Sequence, residues 1–214
     1  MAQFASTNQN EVEHVEGVTT SIANPVPLGM SALAFTTAIL GCTYAGFIIP
    51  SRSAGLGLAV AAALFYGGIV QILAGMWEFK KNNTFAATLF SSYGGFLVAF
   101  GVVFIPGFGI SSVLNSTGTL HQALGLFFLC WTIFSGVLFL GSLRNGVAMP
   151  LVLLALFLSF LFLTIGQLAG ANVVLLAIGG WLGVVCALIA WYCALAMLIN
   201  ASNAGYRLPL GRWV

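Results

Sequence analysis

Six long apolar stretches, roughly 28–49, 55–77, 85–106, 120–141, 148–169 and 172–199, succeed one another along the chain, and its few charges fall outside them. A helix needs about 20 mostly apolar residues to cross a bilayer, and charges inside it are costly, so the gaps mark where the chain leaves the lipid. Hydrophobic residues fill 60% and charged residues 5% of the 214 positions, too little polar surface for a water-soluble globule of this length. A closed barrel would show short segments of alternating character. The run from Leu151 to Ile165 does not alternate. The expected fold class is therefore an all-α integral membrane protein with six transmembrane helices per subunit. A polar tail 1–23 precedes the membrane domain at 24–200, and a tail at 201–214 follows it. Residues 1–20 are polar, with Glu11, Glu13 and Glu16, and lack the features of a cleavable signal, so the first apolar segment is read as a retained helix.

Glycines recur within the spans. The pairs Gly166/Gly170 and Gly179/Gly183 have the small-xxx-small spacing that lets helices approach closely and are read as packing positions. With six spans, both termini and the connections near 78–84 and 142–147 share one side, which holds Lys80, Lys81, Arg144, Arg207 and Arg212. The other side holds Arg52 alone. The positive-inside rule then puts both termini in the cytoplasm. Trp77 and Phe79, just before Lys80 and Lys81, fit an aromatic belt.

The stretch Asn24-Pro25-Val26-Pro27-Leu28-Gly29 stands at the entry to the first helix. Two readings of it are open: a helix cap, in which Asn satisfies free amides, or a helix N-terminus whose N–H groups serve an anion without Lys or Arg. Outside the tail the only carboxylate is Glu78, at a helix end, so a proton relay through buried Asp or Glu has almost no material. A proton would have to travel with the solute or use His121. That residue opens the fourth helix on the poorly charged side and is read first as a solvated or capping residue. His14 lies in the tail, too far away to complete a metal site, and Cys42, Cys130, Cys186 and Cys193 read as small packing residues rather than zinc ligands. Pro106-Gly107-Phe108-Gly109 does not follow a strand and shapes a loop, not a nucleotide site.

The remaining polar residues in the spans are neutral: Thr36, Thr37, Tyr66, Gln71, Ser91, Ser92, Tyr93, Thr164, Gln167 and Asn172. The default for each is a helix–helix hydrogen bond. A set of neutral donors along a narrow path also suits a small polar solute, and Thr36, Gln71, Gln167 and Asn172 are the pore-lining candidates. No nucleophile–base pair or metal cluster supports an enzyme, and no cofactor, metal or nucleic acid is expected.

Two motifs together carry a resemblance. Asn24-Pro25-Val26-Pro27-Leu28-Gly29 is followed by Phe65-Tyr66-Gly67-Gly68-Ile69-Val70-Gln71-Ile72-Leu73-Ala74-Gly75 and then by Glu78-Phe79-Lys80-Lys81-Asn82-Asn83-Thr84-Phe85. From about residue 24 to 200 the chain resembles the acetate uptake transporter family, the succinate-acetate permeases. The resemblance implies a homo-hexamer with six helices and a pore in each subunit, in the plasma membrane, passing acetate and in some members succinate. It also implies a mid-pore apolar constriction of a Phe, a Tyr and a Leu. The last two fall on Tyr93 and Leu156, while the Phe position is Leu33, which is apolar but has no aromatic face. The signature at the pore entry falls on Asn24, Pro25, Pro27 and Gly29. The function expected is passage of acetate and related short carboxylates by a channel or a proton-coupled carrier. The alternative is a channel for a small uncharged solute such as urea or ammonia.

The orientation is testable by thiol labelling in intact cells. A cysteine introduced near Asn82 should stay unmodified by an impermeant reagent and one near Ser116 should react. The reverse pattern would overturn it.

Overall fold

A computed structural model describes residues 22–48, 52–144, 146–202 and 205–211. Glu11, Glu13, His14, Glu16, Arg212 and the side chain of Arg52 lie outside the described residues, as does nearly all of the tail 1–23. Helix α1 spans Val26–Ala45. Helix α2, Arg52–Ala62, continues through a π-helical segment, Ala63–Val70, into α3, Gln71–Lys80. Then come α4 (Thr84–Phe104), a 3-10 turn (Pro106–Phe108), α5 (Ile110–Ser116), α6 (Leu120–Ser142), α7 (Ala148–Leu168) and α8 (Val173–Ala201). Among the described residues six helices are long and apolar enough to cross a membrane, the second being the composite Gly55–Lys80. The protein is a multi-pass membrane protein.

Local chemistry sets the helix ends, which differ by a few residues from the apolar stretches. Helix α1 stops early because Gly46 takes a left-handed conformation, φ 68°, and its N–H returns to the carbonyls of Cys42 and Thr43. Helix α4 stops at Phe104 because Ile105, which precedes Pro106, is extended. It begins where Asn83 Oδ1 accepts the Ala86 N–H at 3.3 Å.

The six spans form a ring. Helix α1 packs on α8, α8 on α7, α7 on α6, and α3 with the π segment on α4, while α1 also meets α2 and the π segment. Side chains close the remaining gap between α4 and α6: the rings of Phe96 and Trp131 are 4.9 Å apart, and the Tyr93 hydroxyl donates to Ser135 Oγ at 2.9 Å.

The tightest backbone approach joins α1 to α8. A Cβ on Gly180 would lie 2.6 Å from the Gly41 carbonyl oxygen, and one on Gly41 would lie 2.7 Å from the Gly180 oxygen, so neither position admits alanine without moving a helix. Of the expected pairs, Gly179 and Gly183 do lie at helix contacts, and Gly166 abuts Leu176. Gly170 is different: it has φ +72°, nothing near its missing side chain, and turns the chain after α7. Spacing alone did not separate a contact from a turn. At the opposite wall Gly68 and Gly94 meet, a Cβ on Gly94 falling 2.8 Å from the Gly68 oxygen, so the glycine-rich second motif serves helix contact.

Trp77 and Phe79 are exposed as an aromatic belt requires, with Lys80 Nζ 5.4 Å from the Trp77 ring centre. Residues 205–211 fold back as a strap. Asn200 accepts the Leu208 N–H and donates to the Leu208 carbonyl, both at 2.9 Å, and the Tyr192 hydroxyl donates to the Pro209 carbonyl at 2.7 Å. The strap in turn offers the Gly211 and Leu210 carbonyls to the N–H groups of Val147 and Ala148, each at 3.2 Å. Helix α7 has no side-chain cap, so the strap satisfies donors that the helix start leaves unpaired.

Replacing Asn200 by Ala removes two hydrogen bonds and should cost about 1–3 kcal/mol of strap docking. Hydrogen exchange should then rise across 205–211 and at Val147 and Ala148, with the rest of the ring unchanged.

Candidate permeation path

Three cavities follow one another along α1, α4, α7 and α8. The central one, about 30 Å³, is bounded by Leu33 and Tyr44 of α1, Tyr93 and Phe96 of α4, Leu156 and Phe160 of α7, and the glycines of α8. Towards the termini a near vestibule of about 280 Å³ opens between Val26, Ala86, Met149 and Cys193, floored by Leu210 and Gly211 of the strap. On the other side a far vestibule of about 360 Å³ is lined by Tyr44, Phe104, His121 and Gln167. A water needs about 10–15 Å³ by this measure, so the centre has room for roughly two, and an ion with its hydration shell does not fit.

Leu33, Tyr93 and Leu156 all face the central cavity. They stand seven, nine and eight residues beyond the first residue of α1, α4 and α7. At 1.5 Å per residue each stands about 10–14 Å into its helix. All three are buried, at 3%, 1% and 3% exposure. Tyr93 is stacked against Phe160, with ring centres 6.4 Å apart, and Phe96 meets Phe160 edge-on at 5.1 Å, so an aromatic layer backs the cavity.

The polar groups here are largely committed. The Tyr93 hydroxyl donates to Ser135 on α6, and Ser159 Oγ donates to the Gly179 carbonyl at 2.7 Å. Tyr93 therefore presents its ring as a wall. Its hydroxyl ties α4 to α6. Among the described residues none of those lining the three cavities is Asp, Glu, Lys or Arg.

The four lining candidates separate. Gln167 lines the far vestibule, where its Oε1 lies 3.0 Å from His121 Nδ1. Thr36 does not line a cavity described here: it is fully buried and donates to the Ala62 carbonyl at 3.5 Å, beside the π segment. Its neighbour Thr37 lines the centre instead. Asn172 is exposed and caps α8, its Oδ1 accepting from Val174 and Leu175 N–H groups at 3.1 and 3.2 Å. Gln71 is wholly buried on the α3 face towards α4, away from the three cavities, and neither amide atom has a hydrogen-bond partner. His121 is not a cap, since its ring bonds Gln167 across to α7.

The entry signature acts as a cap. Asn24 Oδ1 accepts the Val26 N–H and the Lys81 ammonium, both at 3.2 Å. Pro25 precedes the first turn, Pro27 is buried in it, and Gly29 lies flush against the Phe90 ring. Lys81 also sits 3.5 Å from Glu78, whose carboxylate is fully buried at the near end of α3.

Tyr44, Thr37, Phe96, Ser159 and Phe160 were not singled out as lining residues from the sequence. Helical stepping from the three constriction residues finds them: 33, 37, 40, 41 and 44; 93, 96 and 97; 156, 159, 160 and 163 each trace one face.

Residues 4–211 match the GPR1/FUN34/yaaH family. Acetate permease A of Emericella nidulans is 40% identical over 201 residues, covering 89% of this chain, which spans only 66% of that protein's length. The succinate-acetate/proton symporter SatP of Escherichia coli K12 is 34% identical over 193 residues, 90% of this chain and 97% of that one. The solved structure of the bacterial acetate channel SatP superposes with a TM-score of 0.75 at 32% identity, covering 89% of this chain and all of that one.

Tyr93→Phe should lower thermal stability by about 1–2 kcal/mol through loss of the bond to Ser135. Ser135→Ala should cost a similar amount, and the double variant little more than either single one, if the two hydroxyls act as a pair.

Proposed function

The chain belongs to the GPR1/FUN34/yaaH family, and we propose that it is a permease for acetate and related short carboxylates, succinate among them, through a path within each subunit. One observation carries this reading: two vestibules of about 360 and 280 Å³ are separated by a mostly apolar centre of about 30 Å³ with neutral walls. Moving an ionised carboxylate out of water without a partner is prohibitive, of order tens of kcal/mol in the Born limit, whereas a protonated acid pays only for one hydroxyl and one carbonyl. A dry centre without fixed charge neither traps an anion nor holds back a small neutral acid.

Leu33, Tyr93 and Leu156 form the gate in this reading, and Asn24, Pro25, Pro27 and Gly29 set the wall of the near entrance. Leu33 keeps the constriction apolar without an aromatic ring. Assembly as a homo-hexamer, plasma-membrane location and cytoplasmic termini complete the proposal, supported by the family resemblance and by the basic residues near the termini. The relatives reported above are a permease, a symporter and a channel, and the reading is a transporter rather than an enzyme.

Uptake of labelled acetate, succinate, urea and ammonia into liposomes, with and without a pH gradient, tests the substrate class. Acetate uptake exceeding urea and ammonia uptake supports it, and the opposite order would favour a neutral-solute channel. Leu156→Ala should raise acetate flux several-fold or admit larger acids, because a smaller residue lowers the barrier to wetting. It should also cost about 2–5 kcal/mol of stability as a buried truncation. Leu151→Ala, on the exposed face of the same helix, is the control that should change neither flux nor size limit.

A further inference from the structure

The far vestibule holds a polar line that the gate does not use. His121 is exposed at the start of α6, and its Nδ1 is 3.0 Å from Gln167 Oε1. Gln167 is only 4% exposed and lines the far vestibule together with Tyr44. Tyr44 belongs to both the far vestibule and the central cavity. The line therefore runs from a solvent-exposed imidazole to the rim of the dry centre. With Gln167 Oε1 as acceptor, Nδ1 carries a hydrogen, and Nε2 is the atom that gains or loses the second proton.

Among the described residues that line this vestibule, His121 and Tyr44 are the titratable ones and none is Asp, Glu, Lys or Arg. The side chain of Arg52, at the start of α2, lies outside the described residues. Glu78, the carboxylate among the described residues, lies at the near end of α3, across the ring from this mouth. Histidine is the side chain that changes charge between about pH 5 and 8.

We propose that His121 captures the carboxylate at the far mouth and hands it a proton as it enters the dry centre, which rests on the carboxylate reading above. The imidazolium first pairs with the carboxylate. As the carboxylate leaves the ring for the centre, the imidazolium N–H bond breaks and an O–H bond forms on the carboxylate oxygen. The neutral acid crosses and releases the proton in the near-side solution, and the neutral imidazole recovers one from the far side. In water this transfer runs uphill, because imidazole holds its proton more tightly than a carboxylate does. The apolar centre draws it forward, since an ionised carboxylate is penalised there and the neutral acid is spared. Gln167 is the positioning residue: it fixes the ring at the mouth.

The test uses the full chain in liposomes, with His121→Gln, which cannot titrate, and His121→Lys, which stays charged across the range. Labelled acetate flux is read while the far-side pH is varied between about 5 and 8 at fixed near-side pH, and then the reverse. The expected wild-type flux is about tenfold that of His121→Gln at the acid end of the far-side range, the two converging at the alkaline end. Near-side pH should leave the ratio unchanged, and His121→Lys, which keeps its charge but does not hand over its proton, should fall with His121→Gln below wild type at the acid end. A His121→Gln profile equal to wild type, a ratio constant at all pH, or one that follows the near side would overturn the role of His121 while leaving the carboxylate path standing. A folded wild type that carries no acetate at any pH would remove the path itself, and this inference with it.

Discussion

Lipid neither donates nor accepts hydrogen bonds, so every polar group that this chain takes into the membrane must find its partner within the chain. The backbone answers with helices. Side chains answer in two ways. Thr43 and Thr132 return their hydroxyls to carbonyls of their own helices, Ile39 and Phe128, each at 2.8 Å. Others bridge helices, as Tyr93 does to Ser135, Thr132 to Thr164 at 3.1 Å, and Ser159 to the Gly179 carbonyl. The bridges join α4 to α6, α6 to α7 and α7 to α8. They run round the same part of the ring that walls the central cavity.

That economy shapes the site. A hydroxyl engaged in holding two helices together is a weak competitor for a passing solute, so the centre behaves as an apolar layer even though Tyr93 and Ser159 line it. Backbone contact at Gly41 and Gly180 completes the effect from the other side, drawing α1 against α8 and leaving only about 30 Å³ between them and the aromatic layer. Narrowness and apolar character have one origin, which is close helix packing with its hydroxyls largely engaged. Polarity reappears where the ring meets water, at His121, Gln167 and Tyr44 on one side and at Asn24, Lys81 and Glu78 on the other.

The exceptions are local. Gln71, Glu78 and Ser91 carry buried polar atoms without hydrogen-bond partners, and all lie where α3 meets α4. For Glu78 the neighbouring Lys81 ammonium at 3.5 Å offsets part of the charge. The same Lys81 bonds Asn24, so the start of α1 and the end of α3 are joined through one flexible cation. The two sequence motifs that carry the family resemblance therefore meet at the near end of the bundle.

Six spans, their approximate ends, the neutral interior and the side bearing the basic residues were legible in the sequence, because hydropathy and charge are local properties that the bilayer reads one segment at a time. The family resemblance pointed to Leu33, Tyr93 and Leu156, which line one cavity. What composition could not supply was the inward face of each helix. In water a helix declares that face by its apolar stripe, but here the outer face meets lipid tails and the inner face meets other helices, and both are apolar. Thr36 and Thr37 were therefore equivalent in the sequence, as were Gln71 and Gln167, and only the packing of α1 on α8 and α7 on α8 turned Thr37 and Gln167 towards the cavities. Asn172 and Gly170 were likewise decided by the turn between α7 and α8, where one caps a helix and the other takes a positive φ. Segment and polarity are properties of the chain taken locally; facing is a property of neighbours, and neighbours exist only once the ring has closed.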